Sequence, residues 1–266
     1  MLKSKNCNIN QKNGVVYITF PLLEKYGVKH GFSTRIGGVS EGRYKSMNLS
    51  YTNGDKIENV KENFKRICEC IGVDQNSVVM THQTHTINLL NINEVTDKVP
   101  QDIDGIMTNK KGITLCSSYA DCVPLIFYDT VKKVIATSHS GWRGTVNEIG
   151  RHTVEKMQKD YGSNPHDIVA VIGPSICANC YEVDDAVINR IKSLEYLNYN
   201  EVVTEKKNGK YLLDLKRVCK ATLVNVNIPE NNILVSDICT CCNSDFLHSH
   251  RATGGERGNL CAFVAL

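Results

Sequence analysis

The sequence of 266 residues lacks a strong charge of either sign and lacks a long apolar run. Its formal net charge is +3, which gives no electrostatic reason to expect a nucleic acid or an anionic membrane as a partner. No apolar stretch approaches the roughly 20 residues that span a bilayer. Residues 1–13 are polar and lack the apolar segment of a signal peptide. We therefore expect a cytoplasmic protein that binds neither nucleic acid nor membrane.

The sequence also lacks a low-complexity linker, a proline-rich break and a convincing internal repeat. A chain of this length suits one large domain. Strand patterns such as GVVYITF at residues 14–20 are interspersed with amphipathic helices. One helix is predicted to begin with a cap at Asp55 and to end at Gly72, and others cover residues 145–159 and 182–194. The pattern predicts a single α+β domain, residues 1–266, built around a large mixed sheet.

Twelve cysteines are many for such a chain. Without an export signal, a disulfide framework is not expected, and metal binding or catalysis becomes the better interpretation of a selected few. Two groups, Cys177-x-x-Cys180 and Cys239-x-Cys241-Cys242, have a spacing that permits a closed structural zinc site. The helices and strands predicted around them do not require such a staple, however, so this alternative stays open.

Three short segments carry the residue types of an open zinc site: QTH at residues 83–85, ADC at 120–122 and SHSGWRG at 138–144. His139 ends an apolar strand pattern, and Cys122 directly precedes another. The third donor is His85 or His82, between which strand periodicity does not choose. Taken singly, each residue can also be an ordinary buried side chain. Together, two imidazoles and a thiol would hold zinc with its fourth position free, as in catalytic zinc sites.

These segments resemble a known family in combination with four others: STRIGGVS at residues 33–40, DGI at 104–106, GPSIC at 173–177 and CYEV at 180–183. The family is the YfiH/YlmD-type laccase-domain family, and the resemblance runs from about residue 31 to the C-terminus. Its members were once described as multicopper polyphenol oxidoreductases and are now described as purine nucleoside phosphorylases with adenosine deaminase activity. The resemblance implies a layered sandwich of helices around the mixed β-sheet core.

By position, the resemblance implies that His85, Cys122 and His139 bind the metal and form the catalytic centre, with His82 outside it. It implies zinc as the cofactor, with copper as the alternative metal. It implies purine nucleosides and phosphate as small-molecule partners. It implies no second metal at the remaining cysteines.

Substrate contacts are predicted at arginines that stand beside glycines or turns, where a guanidinium can hold phosphate in forked hydrogen bonds. They are Arg35, Arg43, Arg143 and Arg251, the last within a serine–histidine–arginine element at residues 249–251. The family's following glycine–arginine pair has no clear match in ATGGERGNL, so Arg257 is not carried over. Asp121 is a further predicted substrate contact, and either it or Asp104 is a candidate for proton transfer. The alternative for each arginine is an ordinary surface position.

The sequence thus predicts a zinc-dependent phosphorylase for adenosine, inosine and methylthioadenosine that also deaminates adenosine. A cysteine hydrolase is the main rival, with Cys122 as nucleophile and His139 as base, in line with a peptidoglycan-editing role assigned to the family. A copper polyphenol oxidase is disfavoured because its trinuclear centre depends on several paired histidines, and eight histidines leave few for it. A non-enzymatic zinc-stabilised binding module would require a fourth protein ligand.

Overall fold

A computed structural model of the protein describes residues 2–96 and 98–266. Its strands, in chain order, are β1 (Asn8–Lys12), β2 (Val15–Thr19), β3 (Lys29–Ser33), β4 (Val78–Val79), β5 (Leu89–Asn91), β6 (Gly105–Thr108), β7 (Thr114–Tyr119), β8 (Val123–Asp129), β9 (Ile135–Ser140), β10 (Ile168–Ile172), β11 (Glu182–Val183), β12 (Val203–Glu205), β13 (Tyr211–Leu213), β14 (Ile233–Val235) and β15 (Leu260–Ala265).

The helices are α1 (Pro21–Glu24), α2 (Ile57–Ile71), α3 (Trp142–Val146), α4 (Ile149–Tyr161), α5 (Asp185–Lys192), α6 (Tyr199–Val202), α7 (Leu215–Asn225) and α8 (His250–Thr253). None of these helices combines the length and the apolar character that crossing a bilayer would need, as judged over the described residues. The α+β class predicted from the sequence is confirmed.

The strands form two six-stranded mixed sheets and a small three-stranded sheet. The first sheet has the order β1-β2-β3-β15-β7-β4, and only its β4–β7 pair is parallel among the pairs described. The second has the order β14-β10-β8-β9-β6-β5, antiparallel in the centre and parallel at both edges. The third, β11-β13-β12, is antiparallel. The large mixed sheet expected from the sequence is therefore divided into two layers.

Burial along β8 shows how the layers stack. Every residue of β8 is buried, and successive side chains point to opposite faces of a strand. Leu125 and Phe127 pack into a cluster with α4 and α7, whereas Ile126 and Tyr128 pack into a cluster with the first sheet. Full burial of one such side chain contributes about 1.5–3 kcal/mol. The second sheet is thus covered by helices on one side and by the first sheet on the other.

Helix α2 covers the outer face of the first sheet and completes the layered sandwich. Its apolar residues repeat at helical spacing, and Phe64 meets Phe263 of β15 edge to face with ring centroids 6.1 Å apart. Gly72 ends the helix with φ +78°, as the sequence predicts. Asp55 does not cap it, because its carboxylate lies before the first turn and accepts hydrogen bonds from Ser40 and Asn48 instead.

Two other helices differ from the sequence prediction. The helix predicted over residues 145–159 is two helices, α3 and α4, separated where Glu148 takes the left-handed conformation with φ +56°. In the region predicted as a helix over residues 182–194, the first two residues form strand β11, and helix α5 begins at Asp185. Asp184 then caps α5 by accepting a hydrogen bond from the amide of Ala186. Both differences are local and leave the main sheets unaffected.

Candidate metal centre and its cavity

Three side chains that are far apart in the sequence converge at one end of the second sheet. One possible ligand atom each from His85, Cys122 and His139 lie within 4.8 Å of one another. His139 is buried, and the other two are partly exposed. His82, which the sequence alone left as an alternative, is exposed and lies outside this group.

Strand pairing places Cys122 beside His139. β8 and β9 are antiparallel neighbours in which Pro124 lies opposite His139 and Val123 lies opposite Ser140. Cys122 is one residue beyond the last pair, so it lies next to Gly141 at the open end of this hairpin. Because both positions are set by the register of a buried strand pair, the thiol and the imidazole are brought together before any metal binds.

His85 reaches the same place on a loop that Asp104 holds. The Asp104 carboxylate accepts hydrogen bonds from three successive amides, those of Thr84, His85 and Thr86, at 2.8–3.0 Å. His85 itself has φ +64°, an uncommon backbone conformation for a residue with a side chain. Three charge-assisted hydrogen bonds to one buried carboxylate can stabilise such a turn.

The same carboxylate also orients His139. Nδ1 of His139 hydrogen-bonds to Oδ1 of Asp104 at 2.8 Å, and the amide of His139 donates to the carbonyl oxygen of Asp104 at 2.7 Å. With Nδ1 engaged, Nε2 is the atom left for a metal. This carboxylate–histidine arrangement is the usual support for a metal-binding imidazole.

The two groups also shift each other's ionisation. Burial opposes ionisation of Asp104, but its hydrogen bonds from His139 and from the loop amides outweigh burial and lower its pKa to about 2. Burial likewise opposes protonation of His139, yet the negative charges of Cys122 and Asp104 raise the pKa of its imidazole to about 9. The neighbours that favour a proton on His139 would equally favour a metal cation in the place of that proton.

Two observations show that the residues fit a metal ion. Nδ1 of His85 is buried and has no hydrogen-bond partner among the described residues, which is costly unless something else binds it. Gly141 leaves the space that the donors share: a Cβ there would lie 2.4 Å from Nδ1 of His85 and 3.1 Å from Sγ of Cys122. A three-donor set of two nitrogens and one sulfur leaves a tetrahedral ion one position for water or substrate.

The donors open onto a cavity of about 800 Å³. This volume is within the range of ligand-binding clefts, roughly 300–1,000 Å³. The wall includes His85, Cys122 and His139. It also includes aromatic side chains, among them Tyr51, which is 45% exposed and stacks on Phe64 with ring centroids 5.4 Å apart. A flat ligand can therefore reach an aromatic surface and the three donors in one cavity.

Arg257 is the cationic side chain whose position sequence reasoning missed. It lines the cavity together with Asn259, to whose side chain it hydrogen-bonds. Its Nε is buried without a partner among the described residues, and burial lowers the pKa of its guanidinium. A half-buried, incompletely paired guanidinium in a cavity wall is suited to bind an anion. The glycines on either side of Arg257, in GGERGN, meet the same criterion by which the other arginines were predicted.

The four predicted arginines lie elsewhere. Arg35 donates to the carbonyl oxygens of Lys45 and Ser244 at 2.8 Å, and Arg43 forms an exposed ion pair with Glu256. Neither lines the cavity as described. Both guanidinium groups thus connect segments of the chain, and phosphate binding by them stays a prediction.

Arg143 and Arg251 are closer to the centre. Arg143 is exposed, lies over the ring of Trp142 at 4.5 Å, and contributes after burial and His139 to lowering the pKa of His85. Arg251 donates to the carbonyl oxygens of Cys180 and Glu182 at 3.0 and 3.1 Å. Among the hydrogen bonds and ion pairs described, Arg143 is therefore the one predicted arginine whose guanidinium has no hydrogen-bonding or ion-pair partner.

Asp121 is buried beside Cys122, but both its carboxylate oxygens are engaged. Oδ1 accepts from the hydroxyl of Thr240 at 2.6 Å, and Oδ2 accepts from the amide of Arg251 at 2.7 Å. Its backbone has φ +83°. These bonds tie the residue before Cys122 to the C-terminal part of the chain, which positions the thiol.

Comparison with known proteins finds similar sequences and structures over most of the chain. The profile described as multi-copper polyphenol oxidoreductase laccase matches residues 29–266. The chain is 35% identical over 247 residues to the purine nucleoside phosphorylase YlmD of Bacillus subtilis, covering 89% of this chain and 87% of that protein. It is 34% identical over 238 residues to the adenosine deaminase RL5 of an unknown prokaryotic organism, covering 85% and 90%. The crystal structure of the YfiH protein of Bacillus licheniformis superposes with a TM-score of 0.91 at 32% identity, covering 97% and 98%.

Proposed function

Because the chain belongs to the multi-copper polyphenol oxidoreductase laccase family, we propose that it is a zinc-dependent purine nucleoside phosphorylase that also deaminates adenosine. Its substrates would be adenosine, inosine or methylthioadenosine with phosphate, and its products the free base and a sugar 1-phosphate. The observation that carries the proposal is the convergence of His85, Cys122 and His139 on the wall of a nucleoside-sized cavity. Residues 1–266 would act as one domain, and a reducing cytoplasm would suit its twelve cysteines.

Zinc fits the donor set and the chemistry. Bound zinc would supply Lewis-acid activation of water or of a substrate oxygen. Neither proposed reaction changes an oxidation state, so a metal without redox chemistry suffices. Copper is the alternative metal, since it binds such donors more tightly than zinc does. Metal loading therefore has to be controlled in any test.

The chain's own residues would perform binding and positioning. The purine would lie against the exposed ring of Tyr51, because aromatic faces stack well on planar bases. Phosphate would bind at Arg257, whose Nε lacks a partner in the described part of the chain. In phosphorolysis a phosphate oxygen bonds to the sugar C1′ while the bond from C1′ to the purine nitrogen breaks, and the purine leaves with the electron pair. Asp104 would keep His139 in one orientation throughout.

A cysteine hydrolase is the second candidate, favoured by one observation. The roles of a catalytic triad can be assigned to Cys122 as nucleophile, His139 as base and Asp104 as the acid that orients the base. Nδ1 of His139 lies 2.8 Å from Oδ1 of Asp104. Such a hydrolase needs no second imidazole, however. The buried and unpartnered Nδ1 of His85 beside the thiol supports the metal-binding alternative instead.

The test replaces one ligand and follows metal and products together. Cys122→Ala should lose zinc from this centre and lose turnover of adenosine both with and without phosphate. Cys70→Ser, a matched cysteine change on α2, should keep both. Chromatography of the products separates adenine plus sugar 1-phosphate from inosine. Full activity of Cys122→Ala would contradict the ligand role.

Inhibition separates the two candidates. A zinc enzyme should lose activity on dialysis against a chelator and regain it when zinc is restored. A cysteine hydrolase should resist the chelator and lose activity to iodoacetamide even when zinc is saturating.

A further inference from the structure

A second cluster of potential metal ligands lies outside the cavity. The sulfur atoms of Cys177, Cys180, Cys239 and Cys242 all lie within 4.8 Å of one another. Sγ of Cys242 lies 3.4 Å from Sγ of Cys180 and 3.9 Å from Sγ of Cys177. Four sulfurs at about 2.3 Å from one zinc ion would be about 3.8 Å apart. The cluster thus has close to the dimensions of a tetrahedral thiolate site.

The fold explains why the two cysteine pairs meet. β10 and β14 are parallel neighbours, with Ile172 opposite Val235, so the loops that follow them leave the same edge of the sheet. The loops then pair again, because Ser175 forms a bridge with Cys239 and the amide of Thr240 donates to the carbonyl oxygen of Ser175 at 3.1 Å. Each loop contributes two cysteines separated by two residues, the common spacing of structural zinc sites.

The backbone around Cys239 is arranged for a thiolate. The amides of Cys177 and Cys242 point at its sulfur, at 3.2 and 3.4 Å. Hydrogen bonds from amides favour the charged form of an acceptor, and the thiolate is the form that binds metal. Cys239 is buried, whereas Cys242 is exposed, so an ion can reach the cluster from solvent.

We propose that Cys177, Cys180, Cys239 and Cys242 bind a zinc ion in a closed structural site, distinct from the centre at Cys122. Four protein ligands leave no position for substrate, so its role is to staple the two loops together. The two loops also contact the residue that precedes Cys122. Thr240, within the same turn, holds the carboxylate of Asp121, and the amide of Ile176 donates to the carbonyl oxygen of Asp121.

The experiment counts metal in protein purified under reductant and without chelator. The variant Cys122→Ala removes a ligand of the other centre, so its remaining metal reports on this cluster alone. It should keep about one zinc ion per chain, and X-ray absorption at the zinc edge should show four sulfurs at about 2.3 Å. This measurement leaves the cysteine cluster unaltered, so it does not depend on whether a cluster variant folds.

Cluster variants give the complementary result. Cys180→Ser combined with Cys242→Ser should lower the zinc content of the wild-type chain from about two ions to about one and lower the melting temperature. The matched control is Cys241→Ser, which changes a neighbouring cysteine outside the cluster and should keep both ions. Because the readouts are metal content and stability, failure of the proposed phosphorylase activity would leave them unchanged.

Three outcomes would overturn the proposal. The first is a Cys122→Ala protein without bound metal, with peptide mapping that shows a Cys180–Cys242 disulfide. The second is a zinc edge spectrum with nitrogen or oxygen ligands. The third is iron rather than zinc in freshly purified protein, since tetrahedral thiolate sites accept either.

Discussion

Gly141→Ala should strongly weaken metal binding at the proposed centre of His85, Cys122 and His139 without changing any ligand. The backbone of Gly141 has φ −68° and ψ 174°, which alanine adopts without strain. Its added Cβ, however, would lie 2.4 Å from Nδ1 of His85 and 3.1 Å from Sγ of Cys122. We therefore attribute the expected loss of metal affinity to the added methyl group, which would occupy the space between the two donor atoms.

The magnitude follows from that distance. An ordinary carbon contact begins near 3.4 Å, so the imidazole of His85 has to move by about 1 Å. Metal–ligand distances tolerate only about 0.2 Å. Disturbing the support of a ligand without such a clash already weakens metal binding about 10–100-fold. We expect Gly141→Ala to weaken zinc binding at least about 100-fold, or about 2.7 kcal/mol.

The assay is competition for zinc with a chromophoric chelator, with the melting temperature measured in parallel. Gly144→Ala is the matched control three residues later. Its Cβ would have the carbonyl oxygen of His139 as nearest neighbour, at 3.2 Å, and Ile149 at 3.4 Å. The control should bind zinc within about threefold of the wild type, because these contacts need only small adjustments. Wild-type affinity in Gly141→Ala would show that the donors do not share the space beside this glycine.

Two further predictions concern buried ionisable groups. Asp104→Asn should weaken zinc binding about 10–100-fold in the same assay, because it keeps the shape but removes the charge that orients His139. Burial, followed by the charges of Arg35 and Arg257, lowers the pKa of His248 to about 3. Between this pH and about 6.5, the His248 imidazole is therefore neutral in the folded protein and protonated in the unfolded chain. The contribution of neutral His248 to the free energy of unfolding is fully present above about pH 6.5. It falls by up to about 1.4 kcal/mol for each pH unit as the pH decreases toward 3. Urea unfolding at several pH values should show a shallower loss in His248→Gln than in the exposed control His166→Gln.

The sequence predicts the fold class well because the evidence for it is local. The apolar run of β8 and the helical spacing in α2 are visible in a few residues each. The break between α3 and α4 is not visible, because Glu148 takes φ +56° without a glycine or proline to mark it. The division of the strands into two sheets depends on which distant strands pair, such as β15 with β3 and β7, and periodicity carries no such information.

The candidate site also has a part that the sequence predicts and a part that depends on the fold. Donor types and spacing point to Cys122 and His139, and the structure adds that a register of buried strands places them together. The arginines could not be ranked, because the contact that engages Arg35 lies 209 residues away, at Ser244. Four cysteines in two pairs suggested a closed metal site, but the choice of Cys242 over Cys241 needed the folded turn.

The hydrogen bonds of the carboxylates bear on which of the two proposed reactions the site suits better. Zinc deaminases use a carboxylate to shuttle a proton between water and the base. Here Asp104 accepts from three amides, from the hydroxyl of Thr86 and from His139, and both oxygens of Asp121 are also engaged. To take a proton, either carboxylate would have to give up bonds that hold the ligands in place. In phosphorolysis the nucleophile makes no such demand, because phosphate already carries ionised oxygens at neutral pH and needs a cationic partner rather than a carboxylate base. Arg257 in the cavity wall would supply that charge, so we expect phosphorolysis to be the faster of the two proposed reactions.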